Sequence, residues 1–326
     1  MNARDVILVT GGAGFIGSHF ARAAHEAGSE VIVLDDLSGA PGWPQLPKEI
    51  ARVRGDVAER MFVIDVIKAR GVTSIVHFAG KICVGESVEN PALYYESNVM
   101  CTLALLDSAR ECGIKRFLFS STAAVYGVPD IIPIRETAPQ RPINPYGATK
   151  LAIEHALVSY GNAYGIMWGA LRYFNAAGAH PDGSLCEDHE PETHLIPLAV
   201  DAALGRRPPL TIFGSDYPTR DGTAVRDYIH VCDLVDAHIL ALDALDAGRS
   251  LGAMNLGTGR GYTVCEVLGA MHKLGLNVPH AFGQRRAGDP PTLFASADRA
   301  FAHLSWKPTR SDLATIIEDT VRSRSS

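Results

Sequence analysis

The sequence predicts an α/β fold built on a doubly wound parallel sheet. Three observations carry that prediction. Short β-branched runs alternate with longer stretches that have apolar residues at helical spacing, most of those stretches end near a glycine such as Gly28, Gly71 or Gly113, and no internal repeat or low-complexity segment interrupts the order. Repetition of strand, helix and strand builds a parallel sheet covered on both faces.

Taken in order, the strands are expected at 6–10, 30–36, 74–79, 116–121 and 168–174, with a further short strand before Gly55, and the helices at 15–27, 58–69, 91–112 and 145–164. After Phe174 the rhythm gives way to a loop rich in Gly, Pro, His and acids that runs to about Glu192. A second, more irregular region follows, with prolines at 197, 208, 209 and 218, and it closes with a helix at 312–324. We therefore expect one domain over 1–178 and a smaller α/β region over 179–326, with the chain returning to the first sheet near 253–256.

Of the 326 residues, 47% are hydrophobic and 20% charged, enough to bury a sizeable core. Acids outnumber bases by 36 to 30, for a net charge of −6, which argues against broad binding to nucleic acid or anionic lipid. No apolar run approaches the roughly 18 to 20 residues of a membrane helix, and the apolar run at the amino terminus is too short for a signal-peptide core. The six cysteines are dispersed, with no Cys-x-x-Cys pair, as suits reduced thiols in a cytoplasmic protein.

Gly11, Gly14 and Gly17 fall between the first strand and the first helix. The first permits a tight turn, the second lets a pyrophosphate approach the backbone, and the third lets helix pack on strand while the helix amino terminus favours the phosphate. At the end of the second strand stands Asp35, where a carboxylate accepts hydrogen bonds from an adenosine ribose and repels a 2′-phosphate. With no lysine in the glycine run, the pattern fits a dinucleotide rather than ATP, and NAD rather than NADP. Asp56, in Gly55-Asp56-Val57, either reaches the adenine or caps the loop.

Asn144-Pro145-Tyr146 opens a helix with a capping residue and a proline at the first position, so Tyr146 and Lys150 share one face. A tyrosine acting as a base near neutrality needs its pKa depressed by about three units, roughly 4 kcal/mol. An ammonium about 4 Å away supplies about that much at an effective dielectric near 20, but desolvation opposes it and a cationic nicotinamide would have to help. Ser120 to Thr122 end a strand of the same sheet, at the carboxyl edge where such folds bind ligands.

These stretches, together with Leu34-Asp35-Asp36-Leu37, His77-Phe78-Ala79-Gly80, Val84-Gly85-Glu86-Ser87, Arg172-Tyr173-Phe174-Asn175, Val225 to Val231 and Arg285-Arg286-Ala287-Gly288-Asp289, resemble the extended short-chain dehydrogenase/reductases nearly end to end, and among them the nucleotide-sugar 4-epimerases. The resemblance implies a Rossmann-type NAD domain, a UDP-sugar-binding second region and a homodimer paired through the helices at 91–112 and 145–164. It implies interconversion of UDP-glucose and UDP-galactose through a 4-keto sugar that rotates in the site, with N-acetylated UDP-hexoses as a further substrate class. By the same resemblance Tyr146 is the base, Lys150 tunes it and holds the nicotinamide ribose, and Thr122 hydrogen-bonds the sugar's 4-oxygen.

The NAD contacts so implied are Gly11, Gly14, Phe15, Ile16 and Gly17 in the glycine loop, Asp35, Asp36, Asp56 and Val57 toward the adenosine, and Phe78, Ala79, Gly80, Asn98, Ser120, Tyr146, Lys150 and Tyr173 toward the nicotinamide. For the UDP-sugar they are Thr122, Asn175, His194, Leu195, Thr211, Phe213, Arg226, Arg286, Asp289 and Leu293. Arginines suit a pyrophosphate. Arg226 has the alternative of a structural pair with a neighbouring acid, and Phe213 that of a core aromatic. The cluster His180, Glu187, Asp188, His189 and His194 lacks a tight helical ligand pair, and no metal is expected there.

Two departures stand out. Lys81 is followed by Ile82, whereas family members commonly carry that lysine one place later, and Leu293 occupies a position thought to set sugar size. The competing readings are a 4,6-dehydratase or decarboxylase of the same superfamily, which commonly need an acid where Ala123 and Ala124 follow Thr122, and a non-catalytic NAD sensor, which would not need Thr122, Tyr146 and Lys150 together.

Overall fold

Alternate residues of the strand Val6–Thr10 face opposite hydrophobic layers: Ile7 and Val9 one, Leu8 the other. The same division runs along Glu30–Asp35, with Val31 and Val33 against Ile32 and Leu34. Strands buried on both faces belong to a parallel sheet between two helical layers. The computed structural model describes residues 5–189, 191–286 and 289–325.

Seven parallel strands form the central sheet, in the order Gly252–Leu256, Met167–Tyr173, Arg116–Thr122, Ser74–His77, Val6–Thr10, Glu30–Asp35 and Ala51–Arg54. The order reverses between Val6–Thr10 and Ser74–His77, which opens a crevice at their carboxyl ends. One face is covered by the helices Arg60–Arg70, Cys101–Glu111 and Pro145–Tyr164, and the other by Phe15–Glu26, Val231–Asp246 and Asp298–Leu304.

The sequence-based boundaries move for identifiable reasons. The strand at 74–79 stops at His77 because the N–H groups of Phe78 and Ala79 both turn to the carbonyl of Thr10, at 2.9 and 3.1 Å. The helix at 91–112 is three segments, Pro91–Tyr94, a π-helical Tyr95–Met100 and Cys101–Glu111. The π turn carries Asn98, which is buried, and such turns recur at functional sites.

Later elements build a second core from Ile196, Val200, Leu210, Ile212, Val267, Met271, Leu313 and Ile317. Its frame is the helices Leu195–Ala203, Val264–Lys273 and Leu313–Ser325, with the paired strands Leu210–Phe213 and His280–Gly283. A small ribbon aligns Leu293 beside Arg226 and Arg226 beside Tyr262. No helix among the described residues is long and apolar enough to cross a membrane.

Candidate active site

The glycine loop shows which of its glycines the protein itself requires. A side chain at Gly17 would sit 2.2 Å from the carbonyl oxygen of Gly11, so the helix could not approach the loop. Gly14 differs: a Cβ there meets nothing nearer than 3.4 Å, and its backbone is ordinary extended chain. Neither packing nor backbone asks for glycine at 14. The space in front of it is open, and the N–H groups at the start of the helix Phe15–Glu26 suit a pyrophosphate.

Asp35 closes this end of the crevice. Its carboxylate accepts the N–H of Ala13 at 2.9 Å and that of Leu37 at 2.8 Å, locking the glycine loop to the strand end. Burial pushes its pKa above the ordinary value, and the two N–H bonds partly offset this. Asp36 accepts the N–H and hydroxyl of Ser38 in the following turn. Asp56 accepts the N–H of Ala58 at 2.8 Å, which is the loop-capping alternative, and Val57 is buried against the adjoining core.

Across the crevice Phe78 packs on Phe20 and His238, while Gly80 lies so close to Asn98 that a Cβ would meet its Oδ1 at 2.9 Å. Asn98 accepts the N–H of Lys81 at 2.8 Å and donates to the carbonyl of Lys81 at 3.1 Å and to Thr149 at 3.2 Å. Its amide is thus spent on holding the Gly80-Lys81 loop to the helix that carries Lys150. For Asn98 a positioning role fits better than direct contact.

The helix Pro145–Tyr164 starts where Asn144 accepts the N–H of Gly147 at 2.8 Å. Gly147 then allows the helix to lie against the turn Ala123–Tyr126, since a Cβ would stand 2.5 Å from the carbonyl oxygen of Ala124. This brings half-buried Tyr146 to Thr122. Burial pushes the Tyr146 phenol above its ordinary pKa, and a hydrogen bond with Thr122 pulls it back. Thr122 Oγ1 accepts the N–H of Ala124 at 3.1 Å, which leaves its own proton to donate.

Lys150 is 3% exposed; its ammonium donates to the carbonyl of Ser120 at 3.0 Å and lies over Phe119, 4.9 Å from the ring centre. Burial lowers its pKa to about 8. The ammonium is 6.0 Å from the centre of the Tyr146 ring. The lysine is turned to the strand end, and Thr122 hydrogen-bonds the phenol. Tyr173 and Ser120 hydrogen-bond beside it.

Beneath these groups lies a buried network that sequence reasoning missed. Arg172 pairs with Glu154 and donates to the Tyr126 hydroxyl at 2.7 Å; Ser121 donates to Glu154 at 2.5 Å; Tyr126 donates to Asn255 at 2.7 Å. It joins three sheet strands, through Ser121, Arg172 and Asn255, to the helix of Tyr146 and the turn after Thr122. Two signals point to it: a charged residue inside the strand Met167–Tyr173, and Glu154 one turn beyond Lys150 on the same helix face.

The candidates for the sugar nucleotide are gathered less completely. Arg226 is paired with Asp289, and its guanidinium also donates to the carbonyl of Val225 at 2.8 Å, so the structural alternative is present. Phe213 is not a core residue: it is 39% exposed, on the same strand face as exposed Thr211, with the guanidinium of Arg286 4.1 Å above its ring. Asn175 donates to the carbonyl of Asp227 at 3.0 Å. Leu293 packs against the cluster of Val125, Tyr126 and Ile134 beside the Thr122 turn. Ala287 and Gly288, within the Arg-Arg-Ala-Gly-Asp stretch, lie outside the described residues.

His194, which precedes the helix Leu195–Ala203, points Nδ1 at Glu187 and Glu192, at 2.7 and 2.9 Å, rather than outward; Leu195 packs on the second core. The two carboxylates overcome desolvation and raise the His194 pKa to about 10. The loop gathers Glu187, His189, Glu192 and His194 without a helical ligand pair, leaving out His180 and Asp188. Separately, a cavity of about 730 Å³ lined by Arg135, Thr258, Arg260 and Lys307 shares none of the catalytic candidates.

Sheet, glycine loop, Asp35 and the Tyr146–Lys150 helix define a dinucleotide-binding α/β fold. The chain belongs to the NAD dependent epimerase/dehydratase family, whose model matches residues 7–257. It is 48% identical over 314 residues to a UDP-glucose 4-epimerase of Lacticaseibacillus casei, covering 96% of this chain and 94% of that one. To the UDP-glucose 4-epimerase of Rhizobium meliloti (strain 1021) it is 50% identical over 315 residues, with the same shares covered. The crystal structure of the Brucella ovis UDP-glucose 4-epimerase in complex with NAD superposes with a TM-score of 0.94 at 46% identity, over 98% of each chain.

Proposed function

We propose that this protein is an NAD-dependent 4-epimerase that interconverts UDP-glucose and UDP-galactose through a 4-keto sugar, and that it also accepts N-acetylated UDP-hexoses. The observation that carries the reading is the meeting of Thr122, Tyr146 and Lys150 at the carboxyl end of the strand Arg116–Thr122. The likeness to named UDP-glucose 4-epimerases over nearly the whole chain supports it.

NAD fits the crevice: the loop at Gly14 has room for a pyrophosphate, Asp35 stands where the adenosine ribose would lie, and Lys150 with Tyr173 line the inner end. When bound, it supplies acceptance of the C4 hydride and its return. Tyr146 takes the proton of the sugar 4-hydroxyl and later gives it back. As the sugar binds, Thr122 turns its one hydroxyl proton from the phenol to the 4-oxygen. The buried Lys150 cation, 6.0 Å from the centre of the phenol ring, favours the phenolate, with desolvation as the opposing cost.

The second region holds the UDP end while the sugar turns. Arg286, stacked on exposed Phe213, presents a guanidinium to a pyrophosphate or uracil, and Arg226 joins it once Asp289 shares its charge with the ligand. Leu293, beside the Thr122 turn, borders the sugar and sets its permitted size. Exposed Val88, Tyr95, Met100, Val158 and Tyr164 on or beside the helices at 91–111 and 145–164 favour pairing of two copies through that face. The six free thiols suit the cytoplasm.

Purified protein incubated with UDP-galactose and no added cofactor tests the reading. Chromatography should show UDP-glucose. Absence of product with and without supplied NAD would refute it, and a 4-keto-6-deoxy or decarboxylated product would favour the rival chemistry.

A further inference from the structure

Glu187, His189, Glu192 and His194 converge on one point, with one donor atom of each within 4.8 Å of all the others. His194 Nδ1 stands 2.7 Å from an oxygen of Glu187 and 2.9 Å from one of Glu192, and His189 Nδ1 stands 3.3 Å from that same Glu187 oxygen. Donors held about 2.0 to 2.2 Å from a tetrahedral zinc stand roughly 3.3 to 3.6 Å apart. The three closest spacings, 2.7 to 3.3 Å, lie at or below that figure and the full set falls within 4.8 Å, so small side-chain shifts would bring the donors to it.

Hydrogen bonding alone does not complete this cluster. Among the described residues, Glu187 Oε2, Glu192 Oε2 and His189 Nδ1 are buried without a hydrogen-bond partner, and the two glutamate side chains are only 4% and 2% exposed. A single N–H on His194 cannot point along both carboxylate directions. The nearest further cation, Arg324, is 3.7 Å from Glu192 Oε2, but it is bound to Asp201 at 2.7 Å and donates to the backbone of Glu187 at 3.0 Å. Buried polar groups left unpaired are costly.

A divalent cation would satisfy all four side chains together. Two imidazole nitrogens and two carboxylates suit a first-row metal such as zinc, and four protein donors make a closed, structural site. The N–H groups of Thr193 and His194 donate to Glu192 Oε1 at 2.7 and 2.9 Å, a supporting shell that holds the carboxylate in place. We propose that Glu187, His189, Glu192 and His194 bind a structural divalent metal of the zinc class, which pins these four side chains to one another at the start of the helix Leu195–Ala203.

The full-length protein, loaded with zinc and dialysed against metal-free buffer, tests this by its metal content. About one zinc per chain should remain, cobalt should replace it with the intense visible absorption of a tetrahedral site, and chelation should lower the thermal midpoint by several degrees. His189→Gln and Glu187→Gln should each retain less than about a tenth of that metal and lose the response to chelator. Two variants guard against a folding defect in one. Native protein holding less than about 0.1 zinc after loading, or variants binding as much as native protein, would mean an ion-pair cluster with adventitious binding only and would overturn the site.

Discussion

Lys150 donates its ammonium hydrogen to the carbonyl oxygen of Ser120 across 3.0 Å. The contact fastens the helix Pro145–Tyr164 to the end of the strand Arg116–Thr122, and it keeps a positive charge in a buried place where burial has lowered its pKa to about 8. The role proposed for Lys150 and the stability of the fold are opposed at this residue.

Burial penalises the charged lysine, so its folded-state pKa lies below the unfolded value. The resulting destabilisation is full below pH of about 8 and fades as pH rises toward the unfolded pKa near 10.4. Lys150→Met should therefore raise unfolding stability at pH 7 by about 2 to 3 kcal/mol, with the gain shrinking by pH 10, while turnover falls. Urea denaturation of both proteins at the two pH values, with saturating NAD, measures it; a gain that stays constant or grows with pH would count against the buried cation.

Gly147→Ala places a methyl group 2.5 Å from the carbonyl oxygen of Ala124 and must push the helix from the turn after Thr122. Overpacking of this kind costs about 1 to 3 kcal/mol. Because the displacement separates Tyr146 from Thr122, kcat should fall more than KM rises. Steady-state kinetics on UDP-galactose resolve the two, and a change confined to KM would show that the helix position does not matter.

The Arg172–Glu154 pair, with Ser121 and Tyr126 attached, should be costly to break and cheaper to replace. Arg172→Met leaves Glu154 charged and buried, for a loss of about 3 to 5 kcal/mol, whereas adding Glu154→Met should recover part of it. Guanidinium unfolding of the single and double variants checks this. Equal stability of the two would mean that the residual hydroxyls, rather than the lone carboxylate, carry the loss.

Much of this was legible in the sequence. The alternation of short apolar runs with helical periods marks the sheet, because strands buried on both faces must be apolar throughout, and Gly11 to Gly17 with Asp35 mark the crevice. The π turn at 95–100 was not legible, since its spacing departs from the 3.6-residue period only locally. Nor was the direction of Lys150: helical spacing placed it on the face of Tyr146 but not which way a four-carbon chain would turn. The Arg226–Asp289 pair and the gathering of Glu187, His189, Glu192 and His194 depend on folded loops with no period at all.

Leu293→Tyr should narrow the sugar space beside the cluster of Val125 and Tyr126. Turnover of UDP-N-acetylgalactosamine should then fall by about tenfold or more relative to UDP-galactose, the range that one misfitted group costs in a pocket. Competition assays with both substrates give the ratio. Equal losses for the two would remove Leu293 from the size determinants.

The central claim is that Tyr146 is the base of an epimerase that keeps its NAD. Conversion of UDP-galactose to UDP-glucose by native protein and by Tyr146→Phe, with bound NAD quantified in each, addresses it most directly. The account predicts a loss of about 10² to 10⁴ in turnover with the NAD content unchanged. Unchanged turnover in Tyr146→Phe would contradict it.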